Sequence, residues 1–246
     1  MSTPDFSPVA REYARSRPGY PEALFTHLAA LVDRRELAWD CATGSGQAAH
    51  GLAPLFARVV ATDVSAAQLE HARPGDRIEY RRAAAEASGL TAASVDLVTV
   101  AAAIHWLDLS AFGAEVERVA RPGGVVAAWT YHVAIVDPPF DEVFSRFYWQ
   151  VARPWFSDRV RLVDDRYEGL ELPGTPLPSA VFRAEARWSL ATLREFVRTW
   201  SGTRSLLADG HGELVAELDR ELGALWGDPT AERTLRWPLF LRAARL

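Results

Sequence analysis

The sequence predicts an α/β fold with a doubly wound, mostly parallel sheet and helices on both of its faces. Two observations predict this fold. Short apolar runs alternate with segments of helical periodicity up to about residue 131, and the first such unit, residues 37–63, is a strand, a glycine turn, a helix and a second strand. At 246 residues the chain is long enough for a full hydrophobic core, so a single domain is expected.

The elements are predicted from apolar periodicity, turn residues and proline positions. In the first half we expect strands at 37–43, 59–61, 78–82, 95–101 and 125–131, with helices at 22–32, 47–56, 66–73 and 109–119. In the second half we expect an aromatic helix at 138–155, strands at 181–188 and 234–245, and helices at 192–200 and 211–226. These elements predict a core at about 22–131, 180–190 and 234–246, with cap insertions at about 132–179 and 191–233.

The turn after the first strand is predicted to bind a cofactor that contains adenosine. Gly44 and Gly46 let the backbone approach a ligand closely. Asp63 lies about 20 positions further on, at the tip of the second strand, where a carboxylate accepts both hydroxyls of a ribose. The alternative is a structural turn with solvated carboxylates.

The charge near this turn favours one cofactor over another. Gly44-x-Gly46-x-x-Ala49 also fits the dinucleotide fingerprint, which would indicate an NAD-linked oxidoreductase. Asp40, four residues before Gly44, would repel a pyrophosphate bound at the helix N-terminus. It suits a cationic ligand such as S-adenosylmethionine, which carries an ammonium and a sulfonium. A cofactor-binding module without transfer activity is the third alternative.

Composition excludes several classes of function. The net charge is −5 and no basic block is present, which argues against a nucleic-acid partner and favours a small-molecule acceptor. All 27 basic residues are arginine, and the absence of lysine excludes Schiff-base chemistry and the P-loop lysine.

Cysteine usage and hydropathy predict the compartment. Cys41 is the one cysteine, so neither a disulfide nor a multi-cysteine metal site is expected, and the compartment is predicted to be the reducing cytoplasm. No signal segment and no apolar run of about 20 residues appears, so we expect no membrane partner. The sequence leaves open whether the chain is a monomer or a homodimer.

Aromatic and imidazole side chains follow the fourth and fifth strands. His105 and Trp106 come just after residue 101, and Trp129, Tyr131 and His132 close the fifth strand. Ligands of open α/β sheets lie beyond the carboxyl ends of the strands, so these side chains are predicted to face the site. Aromatic walls attract a sulfonium by about 0.5–2 kcal/mol. Core packing and helix capping are the alternative roles.

Five segments together resemble a known family: YARSRPGYP, DCATGSGQAA, ATDVS, AAAEASGLTAASVDLVTVAAAIHWLD and RPGG. They resemble the class I S-adenosylmethionine-dependent methyltransferases, and within these the branch that contains trans-aconitate methyltransferase. The resemblance covers about residues 10–131. It implies a Rossmann-like sheet of seven strands whose last strand is antiparallel, with S-adenosyl-L-methionine as the cofactor.

The motifs and the resemblance together assign two sets of binding residues. The cofactor set is Tyr13, Arg17, Asp40, Ala42, Gly44, Gly46, Asp63, Val64, Ala85, Glu86, Ala101 and Ala102. The acceptor set is Tyr20, Trp106, Trp129, Tyr131 and Trp155. Two positions depart from the family pattern. Ala42 stands where the first glycine is usual, and Ala84 stands where an aspartate is frequent, which leaves the adenine contact to Glu86 and the backbone around Ala85.

Two mechanisms stay open at this point. Methyl transfer is an in-line displacement, so the protein supplies alignment, exclusion of water and, where needed, a base. A carboxylate acceptor is already ionised and needs an arginine clamp, for which Arg11, Arg17 and Arg153 are candidates. A hydroxyl, amine or carbon acid needs a base, for which His105 and His132 are the catalytic candidates.

Overall fold

The computed structural model describes residues 17–246, which form one eight-stranded sheet with helices on both faces. The strands are Leu37–Cys41 (β1), Arg58–Asp63 (β2), Ile78–Arg82 (β3), Val95–Ala101 (β4), Ala120–Tyr131 (β5), Thr175–Pro176 (β6), Ala180–Trp188 (β7) and Arg233–Arg245 (β8). Their order begins β3-β2-β1-β4-β5-β8, and both β6 and β7 pair with the outer edge of β8. Strands β1 to β5 are parallel, and β8 is antiparallel to its neighbours.

Nine α-helices are present between residues 17 and 246. They are Glu22–Ala30 (α1), Gln47–Leu52 (α2), Ala66–Glu70 (α3), Leu109–Val119 (α4), Pro138–Arg146 (α5), Arg161–Asp164 (α6), Leu190–Arg198 (α7), Ser201–Ala208 (α8) and Gly212–Trp226 (α9). Helix α5 continues into a π-helical segment, Phe147–Ala152, and then into a 3₁₀ turn, Arg153–Trp155. Two further 3₁₀ turns are Ile104–Trp106 and Asp158–Val160.

The predicted fold class is confirmed, although the sheet has eight strands where seven were expected. Three of the named strands and α-helices were not predicted: β6, α6 and α8. Strand β6 has two residues, and Pro176 occupies an edge position, where proline is tolerated because no ladder N–H is needed there. Helix α8 begins at Ser201 without a side-chain cap, directly after α7, so no capping signal marks its start. The predicted helix at 138–155 is a continuous helical segment that changes from α to π to 3₁₀ geometry.

The sheet separates two apolar layers. One layer joins α1 and α2 to the aromatic side chains of the two insertions, and the other packs α4 against β1, β4 and β5. Residues 95–100 of β4 are buried on both faces, as a central strand of a parallel sheet requires. The insertions also contact each other, since α9 packs on α5 and α8 packs on the turn Arg153–Trp155. The division into a core and a cap stays a prediction.

Between residues 17 and 246, no helix combines the length and the hydropathy that crossing a bilayer requires. The same part of the chain contains no group of three or more His, Cys, Asp or Glu side chains suited to hold a metal ion.

Two helix glycines provide a matched test of the packing. In Gly51→Ala the added Cβ would lie 2.1 Å from ring atoms of the buried Phe25, so we expect a loss of about 1–3 kcal/mol of unfolding free energy. In Gly113→Ala the added Cβ meets no described atom outside its own helix within 4 Å, so we expect a gain of about 0.5–1 kcal/mol. Urea unfolding followed by circular dichroism measures both. Shifts of the same sign would contradict the packing of α2 against α1.

Candidate active site

The glycine turn after β1 is a left-handed backbone segment. Ala42, Gly44 and Gly46 have φ values of 53°, 57° and 88°. The turn is closed by a hydrogen bond of 3.0 Å from the Gly46 N–H to the Thr43 carbonyl. A left-handed alanine costs roughly 1–2 kcal/mol, which explains why a glycine suits the position of Ala42.

Asp63 ties this turn to the end of β2. Its Oδ2 accepts a hydrogen bond of 2.9 Å from the Gly44 N–H, and its Oδ1 accepts one of 2.9 Å from the Ser65 N–H. Burial raises the pKa of the Asp63 carboxyl, and the hydrogen bonds from the Ser65 and Gly44 N–H groups oppose that shift. The carboxylate therefore fixes the position of the loop that it is predicted to share with a ligand.

Asp40 lies beneath the turn and is fully buried. Its carboxylate accepts hydrogen bonds from the Thr43 hydroxyl and, at 2.9 Å, from the Thr99 hydroxyl. Burial raises the pKa of Asp40 to about 6. The expected contact of Asp40 with a cationic ligand is corrected, because its side chain is sealed from solvent and acts on the turn through Thr43.

A cavity of about 500 Å³ opens between the turn and the carboxyl ends of β2 and β4. This volume lies within the range of ligand pockets, about 300–1,000 Å³. Nine of the residues predicted to bind the cofactor line it: Arg17, Ala42, Gly44, Asp63, Val64, Ala85, Glu86, Ala101 and Ala102. Tyr13 lies outside the described residues.

Gly46 lies apart from the cavity lining, and sequence reasoning missed Gln68. A Cβ on Gly46 would lie 2.2 Å from the Tyr80 hydroxyl, so this glycine permits packing against β3, and it does not line the cavity. Gln68 lines the cavity, and its Oε1 is buried without a hydrogen-bond partner among the described residues. No motif marks Gln68, since its position depends on how α3 packs.

A second cavity, of about 110 Å³, adjoins the first. Four residues line both cavities: Arg17, Ala102, Trp106 and Tyr131. Four aromatic residues of the two insertions also line the smaller cavity: Tyr148, Phe156, Phe196 and Trp200. The sequence did not predict these four, because their positions depend on how the insertions pack.

His105 lines the smaller cavity from the 3₁₀ turn after β4. Its Nδ1 lies 3.0 Å from the Tyr167 hydroxyl, and its ring is 4.6 Å from the Trp106 ring. Burial, followed by the nearby Arg159 charge, lowers the pKa of His105 to about 3. The imidazole is therefore neutral at physiological pH, and a rate step near pH 6.5 is not expected from His105.

Tyr167 reaches His105 from a strained turn. Arg166 and Tyr167 have φ values of 56° and 58°, which residues other than glycine rarely adopt. Tertiary hydrogen bonds hold the turn, with the Tyr167 N–H bonded to the Leu162 carbonyl at 2.8 Å and Arg242 bonded to the Tyr167 carbonyl at 3.1 Å. The ring of Tyr167 is fully buried behind His105.

Arg17 stands between the two cavities. Its guanidinium donates hydrogen bonds to the Tyr131 hydroxyl and, at 3.1 Å, to the Thr199 hydroxyl, and it lies 5.1 Å from the centre of the Phe196 ring. Among the described residues that line the smaller cavity, Arg17 alone carries a formal charge. This placement favours an acceptor that is, or becomes, negatively charged.

One arginine and two tryptophans that were predicted for the acceptor site are placed differently: Arg153, Trp129 and Trp155. Arg153 pairs with Asp164 and lines neither cavity, and Arg11 lies outside the described residues. Trp129 is fully buried, with its ring 5.3 Å from that of Tyr20.

Trp129 precedes Tyr131 by two residues on the same face of β5, so Trp129 lies about 7 Å further into the sheet. Trp155 packs 5.2 Å from the His211 ring and lies outside both cavities. Of the other predicted acceptor contacts, Trp106 and Tyr131 line both cavities, and Tyr20 lines the larger one.

Comparisons with known proteins identify the family. A family model described as a methyltransferase domain matches residues 39–128. A solved structure described as a "Putative Type II Methyltransferase" from Anaeromyxobacter dehalogenans is 40% identical, with a TM-score of 0.84 over 93% of this chain and 97% of that one. The chain belongs to the class I S-adenosylmethionine-dependent methyltransferases.

Two curated relatives of this methyltransferase support the family assignment. A "Putative methyltransferase" of Dictyostelium discoideum is 28% identical over 88% of this chain and 84% of its own length. A "Probable S-adenosylmethionine-dependent methyltransferase" of Saccharomyces cerevisiae is 28% identical over 77% of each chain. Membership of the trans-aconitate methyltransferase branch stays a prediction.

The buried carboxyl of this methyltransferase gives a pH test. Because the folded pKa of Asp40, about 6, exceeds the ordinary value of 3.8, the folded state holds a proton that the unfolded chain releases, and stability falls as pH rises from 4 to 6. Asp40→Asn removes this titration. We expect the unfolding free energy of the variant, relative to that of the wild type, to rise by about 2–2.5 kcal/mol between pH 4 and pH 7, measured by urea unfolding.

The control for this test is Asp76→Asn, since Asp76 is exposed. If the difference in unfolding free energy between the wild type and Asp40→Asn stays constant from pH 4 to pH 7, burial does not raise the pKa of Asp40.

Proposed function

We propose that this methyltransferase binds S-adenosyl-L-methionine in the larger cavity and transfers its methyl group to a small molecule held in the smaller cavity. The observation that carries the proposal is that the two cavities share one wall, made of Arg17, Ala102, Trp106 and Tyr131. Residues that line both cavities place the two cavities next to each other, which is the arrangement that direct transfer between two bound ligands requires.

The lining of the larger cavity fits this cofactor. The ribose hydroxyls and the ammonium group of S-adenosylmethionine are hydrogen-bond donors, and the cavity offers the acceptors Asp63, Glu86 and Gln68. The Oε1 of Gln68 is buried and unpartnered among the described residues, which is costly unless a ligand donates to it. When bound, the cofactor supplies an electrophilic methyl carbon attached to a sulfonium.

The residues of the chain align the acceptor and keep out water. The aromatic walls of the smaller cavity exclude solvent, which strengthens each electrostatic contact inside it. Arg17 provides a positive charge for an anionic oxygen, and two imidazoles, His105 and His132, face the same space. The small volume of about 110 Å³ favours a small-molecule acceptor over nucleic acid or a membrane lipid surface.

An NAD-linked oxidoreductase is less well supported by the same structure. The dinucleotide fold repeats a parallel βαβ half after the first one. Here β8 lies beside β5 in the sheet and runs antiparallel to it, and β6 and β7 each pair antiparallel with β8. No second parallel βαβ half occurs within residues 17–246.

The proposal is tested by binding and by product analysis. We expect saturable calorimetric binding of S-adenosylhomocysteine and no binding of NAD(H). Mass spectrometry of reactions with a panel of carboxylates, phenols, alcohols and amines is expected to show a product heavier by one methyl group. Binding of NAD(H) alone would overturn the proposal, and cofactor binding without any methylated product would favour a binding module.

Asp63 provides the variant for the cofactor site. Asp63→Ala removes a charged acceptor for the ribose hydroxyls and also the bond that holds Gly44, so we expect S-adenosylhomocysteine binding to weaken by about 2–3 kcal/mol. Asp63→Asn keeps one acceptor oxygen and is expected to lose less. The control is Asp76→Ala, and unchanged affinity in Asp63→Ala would place the ribose elsewhere.

A further inference from the structure

The two imidazoles of the smaller cavity differ in their hydrogen bonding. His105 is bonded through Nδ1 to the Tyr167 hydroxyl. The Nε2 of His132 is buried without a hydrogen-bond partner among residues 17–246. An unsatisfied buried polar atom costs about 1–3 kcal/mol, so Nε2 is suited to accept a hydrogen bond from a ligand that enters the cavity. The bonding pattern therefore separates the two candidate bases.

His132 is held rigidly by the π-helical segment. The ring of Trp149 stacks on the imidazole at 5.5 Å and 30°, and the ring of Tyr148 meets it edge-on at 5.4 Å. The Tyr148 hydroxyl donates a hydrogen bond of 2.6 Å to Asp164, which also pairs with Arg153. π-Helical turns occur frequently at functional sites, and here the turn brings two adjacent aromatic residues against one imidazole.

Burial favours the neutral form of the His132 imidazole. Burial lowers the pKa of His132, the Asp164 charge acts in the opposite direction, and the Arg166 charge lowers it further. A neutral imidazole whose Nδ1 carries the proton presents a lone pair at Nε2. Arg17 lines the same cavity and stabilises a negative oxygen.

The cavity itself fits one aromatic ring. Its volume of about 110 Å³ is of the same order as the roughly 150 Å³ of a protein cavity known to bind benzene, and the polar end of a ring has further room where the cavity adjoins the larger one. Its walls include Phe156, Phe196 and Trp200, which favour offset or edge-on contacts with a ring.

We propose that the acceptor is a small phenol whose hydroxyl proton is taken by His132 at Nε2. This inference rests on the proposed methyl transfer. The phenol O–H bond breaks and its proton passes to Nε2, while the oxygen forms a bond to the methyl carbon. The carbon–sulfur bond of the donor breaks with its electron pair left on sulfur, and the imidazolium then releases its proton to water. A carboxylate acceptor needs no such base.

The test compares phenol with fluorobenzene, which has nearly the same shape but no proton to donate. Dissociation constants are measured by NMR titration on the full chain saturated with S-adenosylhomocysteine. The wild type is expected to bind phenol at least tenfold more tightly than fluorobenzene. In His132→Phe the two ligands are expected to bind within a factor of two of each other. The control is His71→Phe, which makes the same change at an exposed site and is expected to keep the wild-type ratio.

A second variant separates hydrogen bonding from proton transfer. The Oε1 of His132→Gln still accepts a hydrogen bond and cannot take the proton, so this variant is expected to keep the preference for phenol. Its rate of anisole formation from phenol and S-adenosylmethionine, followed by mass spectrometry, is expected to fall by about 10² to 10⁴.

Several results would overturn the inference. These are equal affinities of the wild type for phenol and fluorobenzene, an unchanged ratio in His132→Phe, no anisole from the wild type, or an unchanged rate in His132→Gln. Benzoate bound in preference to phenol would indicate a carboxylate acceptor. Calorimetry with S-adenosylhomocysteine on the same samples separates the two proposals. If the wild type does not bind S-adenosylhomocysteine, the proposed function is rejected. If it binds and any of the results above is also found, only the phenol acceptor is rejected.

Discussion

The pair of hydrogen bonds accepted by Asp63 is the constraint on which the larger cavity depends. One carboxylate holds the glycine turn after β1 through Gly44 and the loop after β2 through Ser65. The two loops form facing parts of the cavity wall, and this side chain sets their separation together with the backbone hydrogen bond from the Thr43 N–H to the Thr62 carbonyl. Beneath them, Asp40 fixes Thr43 from the core side. The shape of the glycine turn is therefore fixed by Asp40 and Asp63 before a ligand binds.

The sequence predicted this half of the molecule because its signals are local. The spacing from Gly44 to Asp63 identified the turn and its carboxylate, and apolar periodicity identified β1, β2 and β4 within a few residues. Local sequence signals failed where the role of a residue depends on how deeply its side chain is buried or on what packs against it. Trp129 and Tyr131 are both aromatic and share a face of one strand, and packing against Tyr20 and against Phe25 of α1 makes Trp129 a core residue.

The acceptor half could not be predicted in the same way. Its wall comes from segments far apart in the sequence, such as Tyr148 and Trp200, whose rings lie 5.6 Å apart. The difference between His105 and His132 likewise depends on Tyr167, 62 positions from His105, which enters through a turn that local preferences disfavour. Hydrogen-bonding partners of this kind are set by tertiary structure, which no pattern of spacing in a single sequence reveals.

The wall shared by the two cavities has a thermodynamic consequence. Because Arg17, Trp106 and Tyr131 touch both spaces, any shift of these side chains when one cavity fills alters the shape and charge of the other. Linkage requires that such an effect be reciprocal, so the factor by which the donor changes the affinity for the acceptor equals the factor by which the acceptor changes the affinity for the donor. Under the proposed assignment of the two cavities, the donor and the acceptor bind as a coupled pair, and these three side chains carry the coupling between them.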